Sequence, residues 1–163
     1  MTDQQPNAQA VERTSASVVV NAGIEACFAV GVDVAAYPDW VVDLRSADVL
    51  TTDEDGRPLT ARFEAAGLGR MTSYVLAYDH RGAPDVLAWN LVSGDLTREI
   101  EGRYRFEDVT EEPGQPLTAV SYDLTIDLAV PLPGFVKRRA EDKIVRSALH
   151  RFKLRVEELS GRT

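Results

Sequence analysis

Apolar residues alternate with polar ones through most of this chain, in blocks that are separated by turn-forming residues. The clearest block is Leu117 to Leu128, where every second residue from Val120 onward is apolar and the residues between are serine, threonine or aspartate. Such alternation predicts a β-strand with one face against a core. The predicted strands are Thr14 to Val20, Leu44 to Thr52, Arg57 to Ala66, Met71 to Asp79, Val86 to Val92, Leu96 to Val109 and Leu117 to Leu128.

Two of these strands carry further expectations about burial. Within Val86 to Val92 both alternating sets are largely apolar, so we expect this strand to be buried on much of both faces. Within Arg57 to Ala66 one alternating set is apolar and should face the core. That set consists of Leu59, Ala61, Phe63 and Ala65.

The hydrophobic period changes near the end of the chain. From Pro131 to Leu159 apolar residues recur every three or four positions, which predicts a long amphipathic α-helix. Pro133 and Gly134 suit the start of such a helix, and Gly161 follows its end. The predicted apolar stripe consists of Val145, Ala148, Leu149, Phe152, Val156 and Leu159.

Two short helices are predicted between the first and second strands. Asn21 can cap the first, which carries Ile24 and Phe28 on one face. A second helical turn, Val34 to Ala36, should stop before Pro38, because the residue preceding a proline avoids helical geometry. One strand, two short helices, six strands and a long helix together indicate a sheet curled around the C-terminal helix.

The composition fits one globular domain. The chain has 163 residues, of which 44% are apolar, and this is enough to bury a core without disulfides or metals. We interpret residues 1–13 as a flexible polar arm, residues 14–159 as the domain and residues 160–163 as a tail. Because the sequence contains neither a signal-peptide pattern nor an apolar run that could span a bilayer, we expect a cytoplasmic protein.

Charge is distributed unevenly. The formal net charge of −8 argues against nucleic acid as a partner, because phosphate binding needs concentrated lysine and arginine. Residues 134–157 nevertheless contain eight basic and three acidic residues, a net charge of +5, which leaves −13 for the remainder. This basic helix is interpreted either as a solvated face or as a site for an acidic partner or anionic headgroups, with transient contact to a membrane surface.

Signals of metal or nucleophilic catalysis are few. The single cysteine, Cys27, lies in an apolar segment and reads as core filling. His80 falls in a predicted turn and His150 on the long helix, without HExxH or CxxC spacing, so we expect no metal and no cofactor. The sequence also lacks a GxSxG elbow and a phosphate-binding glycine loop.

Four short motifs follow one another in a characteristic order. They are Val20-Asn21-Ala22-Gly23-Ile24-Glu25, Tyr37-Pro38-Asp39-Trp40, Gly102-Arg103-Tyr104 and Pro131-Leu132-Pro133-Gly134-Phe135. Together they resemble the START-like or Bet v 1-like superfamily over roughly residues 14–159, in particular bacterial polyketide cyclase/dehydrase and coenzyme-Q-binding-like members. Gly23 stands where family members often have proline, a departure that affects only helix initiation.

This resemblance implies an α+β helix-grip fold, in which a seven-stranded antiparallel sheet grips the C-terminal helix around a cavity for an apolar molecule. Cyclases of this fold are expected to use a cavity arginine with neighbouring hydroxyls. The arginine expected in the fourth strand is absent here, since Met71 to Asp79 offers hydroxyl side chains instead. Arg98 is the best substitute because it shares the phase of Ile100 and Tyr104.

The expected cavity lining combines aromatic rings with a few polar groups. The predicted ligand-binding residues are Trp40, Phe63, Tyr74, Tyr78, Trp89, Arg98, Tyr104, Tyr122, Phe135 and Arg138. Arg98, Tyr74 and Tyr104 are also the candidates for a catalytic role. The alternatives are that the tyrosines and tryptophans are ordinary core residues and that Arg98 lies at the rim, paired with an acid.

Three functional hypotheses follow. The first is a non-enzymatic binding protein or carrier for a hydrophobic small molecule such as a lipid, a quinone or a polyketide-like compound. The second is a polyketide cyclase or dehydratase that uses Arg98 and the tyrosines. The third is an interaction module that uses the basic helix. The sequence leaves the ligand and the oligomeric state open.

Overall fold

The computed structural model describes residues 13–67 and 69–161, so that nearly all of the predicted N-terminal arm and the last two residues of the tail lie outside the described residues. The sheet has strand order β1-β7-β6-β5-β4-β3-β2, with antiparallel neighbours throughout. The elements are β1 (Thr14–Val20), α1 (Ile24–Val32), a 3₁₀ helix (Val34–Asp39), β2 (Leu44–Thr52), β3 (Pro58–Gly67), β4 (Arg70–Asp79), β5 (Val86–Gly94), β6 (Thr97–Asp108), β7 (Thr118–Leu128) and α2 (Gly134–Leu159).

The predicted α+β architecture, a seven-stranded antiparallel sheet with a long C-terminal helix, is confirmed. The strand and long-helix bounds agree with the predicted ones to within three residues. Asn21, however, does not cap α1: the N-cap position is Gly23, and Asn21 instead bonds to Glu157. The second short helix continues through Pro38 to Asp39 in 3₁₀ geometry, further than predicted.

Three expectations about burial are wrong. On β5, Val92 is 57% exposed and Val86 and Ala88 on the same face are only partly buried, because the helix covers only the concave side of the sheet. Leu59 is exposed because β-bulges between Val49 and Thr52 disturb the register at that end of β3. Leu159 is 62% exposed because the last turn of α2 runs beyond the end of β1.

Two buried glutamates hold α2 against the edge of the sheet. Glu141 accepts hydrogen bonds from the Thr14 hydroxyl and from the Ile126 backbone amide, both at 3.1 Å. β7 extends past the start of β1, where Thr14 pairs with Leu124, and the glutamate therefore replaces the missing strand partner of Ile126. Glu157 accepts hydrogen bonds from the backbone and side-chain amides of Asn21, both at 2.9 Å. The two carboxylates thus hold the helix at both ends of β1.

Candidate functional site

Six aromatic side chains from neighbouring strands form one surface on the concave side of the sheet, which we call the aromatic wall. It consists of Phe63, Tyr74, Tyr78, Trp89, Tyr104 and Tyr122, all of them predicted ligand-binding residues. Strand register places Phe63 opposite Tyr74, Tyr78 opposite Trp89 and Tyr104 opposite Tyr122. The corresponding ring centroids are 5.5, 6.0 and 4.8 Å apart, so the two rings of each pair are in contact.

Trp89 lies at the centre of the aromatic wall because its neighbour on β6 is Gly102. A Cβ atom at Gly102 would lie only 2.3–2.4 Å from three atoms of the indole ring. The glycine therefore allows the ring to lie flat across β6, with its centroid 5.4 Å from that of Tyr104 and 5.7 Å from that of Tyr122. Any larger residue at this position would push the indole into the space over the wall.

Phe152 of α2 covers one part of the aromatic wall. Its ring stacks on Tyr104, with centroids 5.1 Å apart, and meets Trp40 edge-on at 5.7 Å. Trp40 in turn contacts Tyr37, whose hydroxyl donates a hydrogen bond to the carbonyl oxygen of Gly31. Around Phe152 the space between helix and sheet is therefore filled with rings. Tyr37 was not among the predicted site residues, although it begins the Tyr37-Pro38-Asp39-Trp40 motif.

The wall tyrosines remain neutral. Burial raises the pKa of Tyr74 to about 12, and burial is also the main reason why the pKa values of Tyr78, Tyr104 and Tyr122 lie above the usual range. No described residue forms a hydrogen bond with the hydroxyls of Tyr74, Tyr104 or Tyr122. None of these three hydroxyl oxygens is completely enclosed by the described residues. Each is therefore a neutral donor that can bond to a molecule beside the wall.

The concave surface becomes more accessible toward the end of the sheet where α2 begins. Along β5, Leu87 is fully buried, Trp89 is 9% exposed and Leu91 is only partly buried. The same trend along β7 runs from a fully buried Val120 to a partly buried Ile126. Since β7 leads into α2, both trends point to the first turns of that helix, and we call this side of the molecule the open end.

The three remaining predicted residues lie away from the aromatic wall. The side chain of Arg98 is 65% exposed, and its guanidinium lies 3.3 Å from the carboxylate of Asp127. A β-bulge at the start of β6 breaks the alternation on which the inward orientation of Arg98 was based, so this expectation is wrong and the rim pairing is observed. Phe135, 59% exposed, and Arg138, also exposed, lie on the first turns of α2 at the open end.

Two clefts on the described part of the chain each reach one wall residue, Tyr78 in the first and Trp89 in the second. One, of about 510 Å³, lies at the opposite end of the sheet, where Tyr78 and His80 meet the ion pairs Arg57–Asp53 and Arg81–Asp79. The other, of about 340 Å³, is on the outer face and contains the Arg103–Asp123 pair. The cations named here are each paired with a carboxylate of the same cleft, which makes both clefts poor candidates for binding an apolar molecule.

Comparison with known proteins agrees with this architecture. The family model described as polyketide cyclase/dehydrase and lipid transport matches residues 12–157. No curated protein sequence matches the chain at a significant level. Among described residues, no helix is long and apolar enough to cross a membrane.

Several solved structures share the fold. A START superfamily protein from Mycobacterium smegmatis superimposes with a TM-score of 0.80 at 23% identity, covering 90% of this chain and 98% of its own. A protein from Thermus thermophilus gives a TM-score of 0.71 at 21% identity, with coverage of 91% and 99%. The Zhui aromatase/cyclase from Streptomyces sp. R1128 gives 0.73 at 14% identity, with coverage of 90% and 94%. At these identities the likeness concerns the fold alone.

Proposed function

The chain belongs to the polyketide cyclase/dehydrase and lipid transport family, and we propose that it binds a hydrophobic small molecule against the aromatic wall. The observation that carries the proposal is that the concave surface becomes partly accessible toward the open end, at Tyr74 of the wall and at the neighbouring Leu91 and Ile126. An ordinary core would be enclosed along its whole length. Here the packing around Phe152 closes one part of the helix–sheet interface, and the part under the first turns of α2 is left accessible.

The chemistry of the wall indicates the kind of ligand. Its rings offer broad apolar contact, which favours a flat or extended hydrocarbon skeleton. The neutral hydroxyls of Tyr74, Tyr104 and Tyr122 can donate hydrogen bonds to carbonyl or hydroxyl oxygens. A quinone, a fatty acid or a polyketide-like compound combines these two features, and we propose this class as the ligand.

A second candidate is catalysis of cyclisation or dehydration of a polyketide chain. The observation that favours it is the cluster of tyrosine donors, since Tyr74 and Tyr104 could hydrogen-bond to a substrate carbonyl and stabilise an enolate. The Zhui protein with the same fold is an aromatase/cyclase. Arg98 has no part in this proposal because its guanidinium pairs with Asp127 at the rim.

Native mass spectrometry of gently purified protein, followed by titration with a quinone and with a fatty acid, tests the binding proposal. Trp89, in the middle of the wall, serves as the fluorescent reporter. Tyr104→Phe keeps the ring and removes the donor, so we expect about fivefold weaker binding of a carbonyl-bearing ligand, the equivalent of one hydrogen bond. The absence of any co-purified or saturably bound apolar compound would refute the proposal.

Thr118→Val is the matched control. Its buried hydroxyl donates to the carbonyl oxygen of Ala22, outside the aromatic wall, so this variant should lose stability and keep its ligand affinity. Equal weakening by both substitutions would attribute the effect of Tyr104→Phe to a general loosening of the fold. Turnover of an aromatic polyketide precursor that is abolished by Tyr104→Phe would favour the catalytic candidate, whereas binding without turnover would favour the carrier.

A further inference from the structure

The segment between β7 and α2 is unusually apolar for an exposed loop. Residues 128–136, Leu-Ala-Val-Pro-Leu-Pro-Gly-Phe-Val, contain no charge. Ala129, Pro131, Pro133 and Phe135 are nevertheless exposed. Hydrophobic side chains in a solvent-facing loop cost free energy, so a run of this kind indicates a surface that contacts something.

Other exposed apolar side chains lie at the same open end. Val42 is 45% exposed in the segment before β2, and Met71 is 46% exposed at the start of β4. Sheet pairing brings these two segments together, because the Ala66 amide bonds to the Asp43 carbonyl and Gly67 pairs with Arg70. With residues 128–136 they form what we call the apolar rim, which borders the accessible part of the concave surface.

The two ends of the molecule differ in net charge. The segments at the open end, residues 40–45, 66–72, 92–98 and 127–139, contain six basic and three acidic residues. The turns at the opposite end, residues 53–57, 79–85 and 107–117, contain two basic and nine acidic residues. The net charges are therefore +3 and −7, so an anionic surface would attract the open end and repel the other.

We propose that the apolar rim docks on an anionic lipid bilayer, with Phe135 and the neighbouring prolines in the headgroup layer. Arg139 is exposed one turn after Phe135, and this order places a cation level with lipid phosphates when the loop is inserted, whereas Lys137 is paired with the buried Glu141. Exposed apolar groups followed by an exposed arginine match the layered chemistry of a bilayer surface. The docked orientation points the acidic turns into solvent and turns the accessible part of the aromatic wall toward the lipid.

This docking goes beyond the proposed ligand binding and can fail independently of it. The test is co-sedimentation of the full chain with phosphatidylcholine vesicles, with and without phosphatidylglycerol. We expect retention only on the anionic vesicles, with release as the salt concentration is raised. Phe135→Ser and Arg139→Glu should each weaken retention about tenfold, one by removing an inserted ring and the other by reversing a charge.

Two variants on the same helix serve as matched controls. Leu159→Ser removes a side chain that is as exposed as Phe135 but lies at the other end of α2. Arg151→Glu makes the same charge change as Arg139→Glu at an exposed position further along the helix. Both controls should stay within about twofold of the wild type. If the controls weaken retention as much as the rim variants, or if the wild type is not retained on anionic vesicles, the proposal is overturned.

A fluorescent label at position 135 distinguishes insertion of the rim into the bilayer from electrostatic attraction to its surface. Cys27 is fully buried and burial raises the pKa of its thiol to about 11, so Phe135→Cys can be labelled selectively. We expect a blue shift of an environment-sensitive label at position 135 on anionic vesicles, and no shift for Leu159→Cys. If vesicles leave the label unchanged while a polyglutamate resin retains the protein through Arg139, the rim is a site for an acidic protein and the lipid proposal is wrong.

Discussion

The two halves of α2 are attached to the sheet by different interactions. In the second half, residues 145–159, Val145, Phe152 and Val156 are completely buried, and the Phe152 ring stacks on Tyr104. In the first half, residues 134–144, Phe135 is 59% and Ile144 is 43% exposed. The polar attachment, in contrast, is nearly the same in both halves, because each has one buried glutamate bonded to an end of β1 and to a lysine four residues earlier.

The position of the helix on the sheet and its packing against the sheet therefore depend on different interactions. A carboxylate that accepts backbone and hydroxyl hydrogen bonds fixes where the helix lies along β1. Ring and aliphatic packing supplies most of the free energy, and it is concentrated in the second half. The first turns of α2, before Glu141, are therefore held in position by the Glu141 hydrogen bonds, although their side chains pack little against the sheet. Such a segment is suited to border an opening.

Truncating one aromatic residue in each half tests the contrast most strongly. Phe152→Ala should lower the free energy of unfolding by about 3–5 kcal/mol, because it leaves a cavity among Trp40, Tyr104 and Phe106. Phe135→Ala should change it by less than about 0.5 kcal/mol, because the ring is already in solvent. Urea unfolding of the two variants gives both numbers. Similar losses for the two would mean that the halves are packed alike.

Removing the charge of Glu157 tests the polar attachment. Burial raises the pKa of this carboxyl, but hydrogen bonds from Lys153 and Asn21 outweigh burial and hold the pKa below its ordinary value of 4.5. The stabilisation is therefore complete above about pH 4.5 and is lost as the pH falls through the lower, folded-state pKa. Glu157→Gln should lower the free energy of unfolding by about 1–3 kcal/mol at pH 7, and by less below pH 4.5.

Glu158→Gln is the control for this experiment, since Glu158 is the exposed neighbour. Its effect should stay below about 0.5 kcal/mol at every pH. Urea midpoints measured between pH 3 and pH 7 give the comparison. A pH-independent loss for Glu157→Gln would show that its carboxylate charge is not what holds the end of the helix.

The strands and the long helix could be predicted from the sequence because each follows a regular spacing of apolar residues. Alternation every two residues predicted the strands, and the helical period predicted α2 and most of its buried stripe. The wall residues Tyr74, Tyr78 and Tyr104 followed from the same alternation, and they do face the concave side. Whether they bind a ligand stays a prediction.

Local irregularities and polar burial were not predictable from periodicity. A β-bulge at the start of β6 turned Arg98 outward, and strand alternation alone gives no sign of such a bulge. Glu141 and Glu157 were read as part of a charged helix face, since their partners at Ile126 and Asn21 are distant in sequence. Tyr37 was missed because its contacts with Trp40 and Phe63 depend on how the short helices pack on the sheet.

The smallest expected effect concerns an exposed ion pair near the middle of α2. Arg146 Nε lies 3.0 Å from an Asp142 oxygen, with both side chains at least half exposed. The acid precedes the base by four residues, which is the favourable orientation in a helix, whereas Lys153 and Glu157 have the reverse order. Asp142→Asn should still cost only about 0.3–0.5 kcal/mol, because solvent screens the pair, and the cost should vanish at high salt. Urea unfolding at low and high salt measures it, and a loss as large and salt-insensitive as that of Glu157→Gln would contradict the view that solvent screens this pair.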